Sequence, residues 1–294
     1  MSNQIRPGYM GLATISGLRI RCTSFTVNPN QDTLFYDHVI GLKDTIPADS
    51  STKGEDPDPT YVNTQKKIWR PSPISIGGGM SFPATDNNLK NIFLLARYAN
   101  YFDLDFMYYC KNGTTGQECR RFKDCRVSDF DFSVTSGDIV NVSMNVFAKN
   151  IEENVSFYHY TTPEKLITWD QSPVIVTSPS FAVNHLHVNG INFKINNNVQ
   201  NIYVARNIST TDSLLPWDLR VGMQEVTGSL NIYLESGYEF IPINLSSPSQ
   251  IQISLPGMTL AMSVVFKSNQ IEGQVGPIIT QLPFVGVDQV FTIS

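Results

Sequence analysis

Ile68-Trp69-Arg70-Pro71-Ser72-Pro73-Ile74, running on through Gly77-Gly78-Gly79-Met80-Ser81-Phe82, is answered later in the chain by Trp217-Asp218-Leu219-Arg220-Val221-Gly222, which runs on to Gly228-Ser229-Leu230-Asn231-Ile232-Tyr233. Each stretch is a Trp, a polar or basic entry and then a glycine-marked strand. The flanks agree as well. Phe25 and Val27 precede the first stretch, and Phe193 and Ile195 the second. Phe130, Phe132 and Val134 follow the first, and Val264 and Phe266 the second. An internal repeat sets the architecture before any other signal is read. Two copies of one β-module suit a ring-forming protein better than an enzyme.

The chain has 294 residues, enough for two domains with ordinary cores. Hydrophobic residues make up 41%, a globular value, while charged residues make up only 16%, below the usual quarter. Asn, Ser and Thr fill the gap, which favours an extended polar surface or a large assembly interface. Residues 1–150 carry 16 Lys and Arg against 15 Asp and Glu, and residues 151–294 carry 5 against 11. A surface that grips nucleic acid needs a basic excess, and none is present. No stretch has the apolar length of a membrane span. Met1–Pro7 lacks the apolar core of a signal peptide, so assembly in a cytoplasm is expected. Of the four cysteines, Cys110 and Cys119 flank a turn-like segment and are candidates to approach across a hairpin. Free thiols are the cytoplasmic expectation.

Along the chain, residues 1–16 read as an arm. Residues 17–150 read as a first module, 151–172 as a connector and 173–294 as a second, divergent module. The alternation predicts strands over Leu18–Val27 and Leu34–Ile40 with a turn at Asn28–Asp32. A long polar loop, residues 43–67, is too poor in apolar residues to pack alone and has no equivalent in the second half, which marks it as functional. Residues 86–99 predict a helix capped by Asp86, with Leu89, Ile92, Phe93 and Ala96 as its apolar stripe. Further strands are expected over 104–108, 126–134 and 139–148. In the second half they are expected at His185–Ile195, Asn201–Arg206, Leu219–Tyr233, Ile251–Leu255 and Leu260–Phe266. A counterpart of the helix near Tyr238–Leu245 is weak, since Pro242 opposes it.

Taken together, Ile68–Phe82 with the helix Leu89–Ala99, Leu214–Tyr233, and the closing strands Val127–Val146 and Leu260–Val275 ending in Gly276-Pro277 resemble a phage tail tube protein with a duplicated tube domain. The resemblance runs from about residue 12 to 285 and rests on order, spacing and doubling, not on one specific motif. It implies a mainly β fold: two tandem β-sandwich modules, one flanking helix in the first, contributing strands to an oligomeric β-barrel. It implies stacked rings of three chains each, around a lumen that conducts DNA into the host without binding it specifically. It implies a place in the virion tail, assembly in a bacterial cytoplasm, and contacts with a tape measure, a tail tip or baseplate, and in some tails a sheath. The long loop is expected to reach the next ring through Asp49, Lys53, Glu55, Asp56 and Asp58. The alternatives are a single-ring tail-tip or neck component and a receptor- or carbohydrate-binding β-sandwich.

Two aspartate pairs alternate with apolar residues: Asp103 and Asp105 with Leu104 and Phe106, Asp129 and Asp131 with Phe130 and Phe132. Period two places each pair on the face away from the core, and these four are candidates to line the lumen. Carboxylates there repel phosphates, whereas basic side chains would add affinity at every ring. Arg120, Arg121, Lys123 and Arg126 form a basic cluster, read as an interface patch facing the loop acids, as solvated surface or, least favoured, as a nucleic-acid contact. His185 and His187 alternate, but no carboxylate or cysteine lies at metal-ligand spacing, so they read as surface residues and no metal or cofactor is expected. Gly77-Gly78-Gly79 precedes no Lys-Ser or Lys-Thr and marks close backbone approach, not a phosphate loop. The five Asn-x-Ser/Thr sequences are those an Asn- and Ser-rich chain throws up by chance. With no Gly-x-Ser-x-Gly, His-Glu-x-x-His or dinucleotide fingerprint, the chain is read as no enzyme.

Overall fold

A computed structural model describes residues 11–15, 18–36, 68–86, 88–109, 118–153, 165–177, 186–204, 214–234, 248–267 and 278–293. Alternating side chains drive nearly all of it into antiparallel strands. These are β1 (Gly11–Ile15), β2 (Leu18–Cys22), β3 (Ser24–Tyr36), β4 (Ile68–Pro83), β5 (Phe102–Tyr109), β6 (Glu118–Thr135), β7 (Asn141–Ala148) and β8 (Asn150–Glu153). Then follow β9 (Val174–Thr177), β10 (Leu186–Asn196), β11 (Gln200–Ile202), β12 (Asp218–Arg220), β13 (Glu225–Leu234), β14 (Ser249–Leu255), β15 (Met258–Phe266) and β16 (Ile278–Ile293). Among the described residues one α-helix, α1 (Leu89–Tyr98), lies between β4 and β5 and buries Leu89, Ile92, Phe93 and Ala96.

The pairing repeats. In the first half, neighbouring strands run β1-β5-β6-β7-β4-β3; in the second they run β9-β14-β15-β16-β13-β10. Each strand of the first series has its counterpart, in chain order, at the same place in the second. The two series join where the second half of β6 pairs with β10, from Asp129↔Asn196 to Thr135↔Gly190. The result is a single broad sheet, β3-β4-β7-β6-β10-β13-β16-β15. The first half of β6, with β5, β1, β2 and β8, turns away from it as a second layer. Its Phe106 stacks on Phe25 of β3 at 5.2 Å between ring centroids and meets Phe122 edge-on at 5.5 Å. Phe93 of α1 packs on Phe130 and Phe193, so the helix sits over the junction of the two halves. Aromatic pairs of this kind stabilise beyond their buried area.

Several expectations are corrected. The arm ends earlier than read, because Gly11–Ile15 is β1, with Ala13 and Ile15 fully buried. The turn expected at Asn28–Asp32 is extended strand, paired from Asn28↔Gly77 to Gln31↔Ile74; the break falls at Thr23 instead. Pro29 suits a strand whose outer edge takes no ladder bond among the described residues. Asp86 does not cap α1. Asn88 occupies that position, and its Oδ1 accepts from the Thr85 N–H at 3.1 Å. Asn201–Arg206 is no long strand, since β11 stops at Ile202. Leu219–Tyr233 breaks at residues 221–224 into β12 and β13, and β12 pairs with β11. Trp69 and Trp217 therefore hold unlike places: Trp69 lies within β4 opposite Phe35, whereas Trp217 precedes β12. The connector is integrated: β8 pairs with β6, and the Ile167 N–H donates to Ala84 O at 3.0 Å. The helix counterpart near Tyr238–Leu245, Cys110 and His185 fall outside the described residues. Cys22 and Cys125 are buried free thiols, and burial pushes Cys22 up to about 12.

Candidate assembly surfaces and channel face

Strand alternation gives the broad sheet two unlike faces. Met80, Phe82, Phe130, Phe132, Val142, Met144, Ile191, Phe193, Leu230, Ile232, Leu282 and Phe284 are buried beneath α1 and the second layer. The opposite face carries Thr26, Gly77, Gly79, Ser143, Asn145, Ser133, Asn192, Thr227 and Ser229. Two open hollows of about 370 Å³ each lie on it. The first, over β3, β4, β7 and β6, is lined by Thr26, Gly77–Gly79, Asp129 and Asn145 among others. The second, over β6, β10 and β13, is lined by Asp131, Ser133, Asn192, Lys194, Thr227 and Ser229. Their charged residues are Asp129, Asp131 and Lys194.

Lys194 stands opposite Asp131 in the ladder and places Nζ 2.8 Å from Asp129 Oδ1. That hydrogen bond to Asp129 raises the lysine's pKa. Asp131 accepts from Ser143 Oγ at 3.3 Å, and partial burial raises its pKa. The hollows therefore hold two carboxylates and one ion-paired ammonium among amides, hydroxyls and bare backbone. Lys194 was legible as the lone cation alternating with Phe193 and Ile195, but its partner was not, since the pairing joins residues 65 positions apart.

The other aspartate pair lies elsewhere. Asp105 is on β5, where it accepts from Arg121 Nε at 2.7 Å and Nη2 at 3.0 Å. Asp103 accepts the Asp124 N–H at 3.1 Å. The basic cluster is largely engaged within the chain. Arg121 holds Asp105, Lys123 holds Glu152 at 2.5 Å, and Arg126 donates to Ala99 O at 3.1 Å with its guanidinium 3.9 Å from the Tyr101 ring centre. The loop candidates Asp49, Lys53, Glu55, Asp56 and Asp58 lie outside the described residues.

The sheet edges differ sharply. β10 is paired on both sides, to β13 and to β6. Its counterpart β3 is paired on one side, to β4, and its other edge is open among the described residues. A long unpaired edge is a template for another strand.

The two halves are locked by polar contacts that sequence reading missed. Asn197 is fully buried; its Nδ2 donates to Ala96 O at 2.8 Å and Val127 O at 2.9 Å, and its Oδ1 accepts from Gln224 Nε2 at 2.7 Å. The Tyr101 hydroxyl donates to Asp218, holding that carboxylate below its usual range, and Lys149 Nζ lies 3.1 Å from the same group.

These features define a β-sandwich protein with a polar sheet face and, among the described residues, an open sheet edge. The sequence matches the phage tail tube protein family over residues 24–286, and the chain belongs to that family. Membership makes it a structural subunit of a tail tube and a component of the virion tail. Hcp1 from Flavobacterium johnsoniae is similar over 49% of this chain and 94% of its own, at 7% identity and a TM-score of 0.30. No curated protein matches the chain.

Proposed function

We propose that this chain is the repeating unit of a DNA-conducting tube, with three chains per ring and each chain contributing two equivalent modules. The observation that carries this reading is the repeated strand order together with its junction. Within one chain, β10 of the second series receives β6 of the first. β3 holds the same position in the first series and, among the described residues, has an open edge. A neighbouring chain that offers its own β15, the counterpart of β6, to β3 repeats the β6–β10 seam between subunits. Six such seams, alternately within and between chains, close the sheet into a barrel, and closure removes the exposed edges. Helix and second layer then lie outside, and the polar face lies inside.

On this reading Asp129 and Asp131 line the lumen. They leave no unpaired ammonium for phosphate in either hollow, because Lys194 is held by Asp129. DNA that met free lysines at every ring would be retained by counterion release. Asp103 and Asp105 lie on the outer layer, where Asp105 supports the fold through Arg121.

Electron microscopy of the purified protein tests the proposal. Hollow tubes whose rings contain three chains are expected. Rings of six chains overturn the stoichiometry. Particles that stop at one ring favour the tail-tip or neck reading.

A further inference from the structure

The two-stranded flap, β11 with β12, has a counterpart in the first half. β10 holds the place of β3 and β13 that of β4, so the segment between β10 and β13 answers the segment between β3 and β4. The registers agree. One hairpin sets Val27 opposite Gly78, and the other sets Phe193 opposite Gly228. Both ladders then break, the first by a register shift between Gln31 and Thr33, the second over residues 197–199 and 221–224. Irregularities of this kind bend a hairpin. Both ladders resume at the same count. Leu34↔Arg70 lies seven residues on from Val27 and eight back from Gly78, and Gln200↔Arg220 lies seven on from Phe193 and eight back from Gly228. The outer rungs of the β3–β4 hairpin, residues 33–36 with 68–71, therefore correspond to the flap.

The flap has a definite seat. From the end of β10 it passes over the β6–β10 seam onto the first half. Asn201 Nδ2 donates to Ser75 Oγ at 2.9 Å, and the Tyr203 hydroxyl donates to Ile74 O at 3.1 Å. On the other strand, Asp218 meets Lys149 and the Tyr101 hydroxyl. A two-stranded hairpin is marginal in water by itself, and these contacts support this one. The outer β3–β4 rungs have no third strand among the described residues, since β7 joins β4 only from Ile76 onward.

We propose that the outer β3–β4 hairpin is an arm that crosses sideways to the neighbouring chain of the same ring and lies on that copy's second half, as the flap lies on the first half of its own chain. The inference rests on the tube reading above, which sets a neighbour's β15 against β3. The contacts within the chain name the acceptor. Position 35 answers Asn201, and position 68 answers Asp218. Ser75, three residues before Gly78, is answered by Glu225, three before Gly228. Lys149 lies three residues beyond Val146, the partner of Gly78; Val287 lies three beyond Phe284, the partner of Gly228. The arm therefore brings position 35 beside Glu225 of the neighbouring copy and position 68 beside its Val287. Glu225 is exposed and Val287 half-buried in the single chain, so both are open to a second copy.

Two double variants test it: Phe35→Cys with Glu225→Cys, and Ile68→Cys with Val287→Cys. Each is assembled, treated with a short bismaleimide and run on a denaturing gel beside its two single variants. The single variants keep the four native cysteines and so set the background. Each double variant is expected to give covalent products of two chains up to one whole ring that neither single variant gives. The pairs share no residue, so either decides the matter if the other does not assemble. Rings that yield no such products overturn the proposal. So do ladders longer than the number of chains in one ring, which put the arm on the next ring instead. Parent protein that forms no rings overturns the tube reading and this inference with it, a result that micrographs distinguish from rings without crosslinks.

Discussion

Gly78 and Gly228 lie on strands that hold the same place in the two repeated series. Gly78 lies in β4 between β3 and β7, and Gly228 in β13 between β10 and β16. A Cβ on Gly78 would meet Thr26 O at 3.1 Å and Val146 Cγ2 at 3.9 Å. A Cβ on Gly228 would collide with the corresponding atoms, Asn192 O and Phe284 Cζ. A backbone carbonyl faces each glycine, but the neighbouring side chain is Val146 at Gly78 and Phe284 at Gly228.

Gly228→Ala is therefore expected to destabilise by roughly 1–3 kcal/mol, because a backbone carbonyl and a buried ring must both move. Gly78→Ala is expected to cost distinctly less, since Thr26 O needs to give by only a few tenths of an ångström. Urea denaturation of the two variants checks this. Equal losses would show that the extra bulk of Phe284 does not matter.

Asn197→Ala removes two donated hydrogen bonds and strands Ala96 O and Val127 O in the interior. A loss of about 2–4 kcal/mol is expected, from two unsatisfied carbonyls at roughly 1–3 kcal/mol each with some relaxation. Asn197→Asp is expected to be no better, because a carboxylate has no N–H to give. Rescue by Asp would mean that the contact with Gln224 alone carries the clamp. Denaturant midpoints of the three proteins decide it.

Asp131 supplies a pH test with a definite sign. Burial raises its folded-state pKa, so the native protein favours the protonated carboxyl. That contribution is complete below the ordinary aspartate value, near about 4, and is lost as pH rises through the raised folded value. Asp131→Asn is expected to raise the melting temperature at neutral pH, with the gain shrinking toward zero as pH falls to the ordinary aspartate range. A gain that is flat with pH would exclude ionisation as the cause.

Deleting residues 49–60 removes no large apolar residue, and the buried core residues Phe82, Phe93 and Phe132 lie outside it. The deletion is expected to melt like the parent but to form rings poorly or fail to stack them. Melting curves and micrographs of both proteins provide the comparison. Parental tubes from the deletion would mean that stacking depends on other surfaces alone.

Sequence alone determined the period-two alternation, and with it the mainly β class, the position of α1 and the core identity of Phe82, Phe93, Phe130 and Phe132. It also showed that the Gly-rich strand occurs twice. These are local signals, because the side a residue faces depends on its immediate neighbours in the strand. What sequence could not supply were the partners. Trp69 and Trp217 look alike in their local setting, yet one lies in the main sheet and the other before a two-stranded flap. Asp103 with Asp105 and Asp129 with Asp131 share one pattern, yet the first pair lies on β5 against the first half of β6 and the second on the other half of β6, in different layers. Likewise Asn197 gave no sign that it would bridge Ala96 and Val127, 101 and 70 residues away. Tertiary structure decided these because strand pairing and buried hydrogen bonds are satisfied across space, by whichever residue the closed sheet brings opposite.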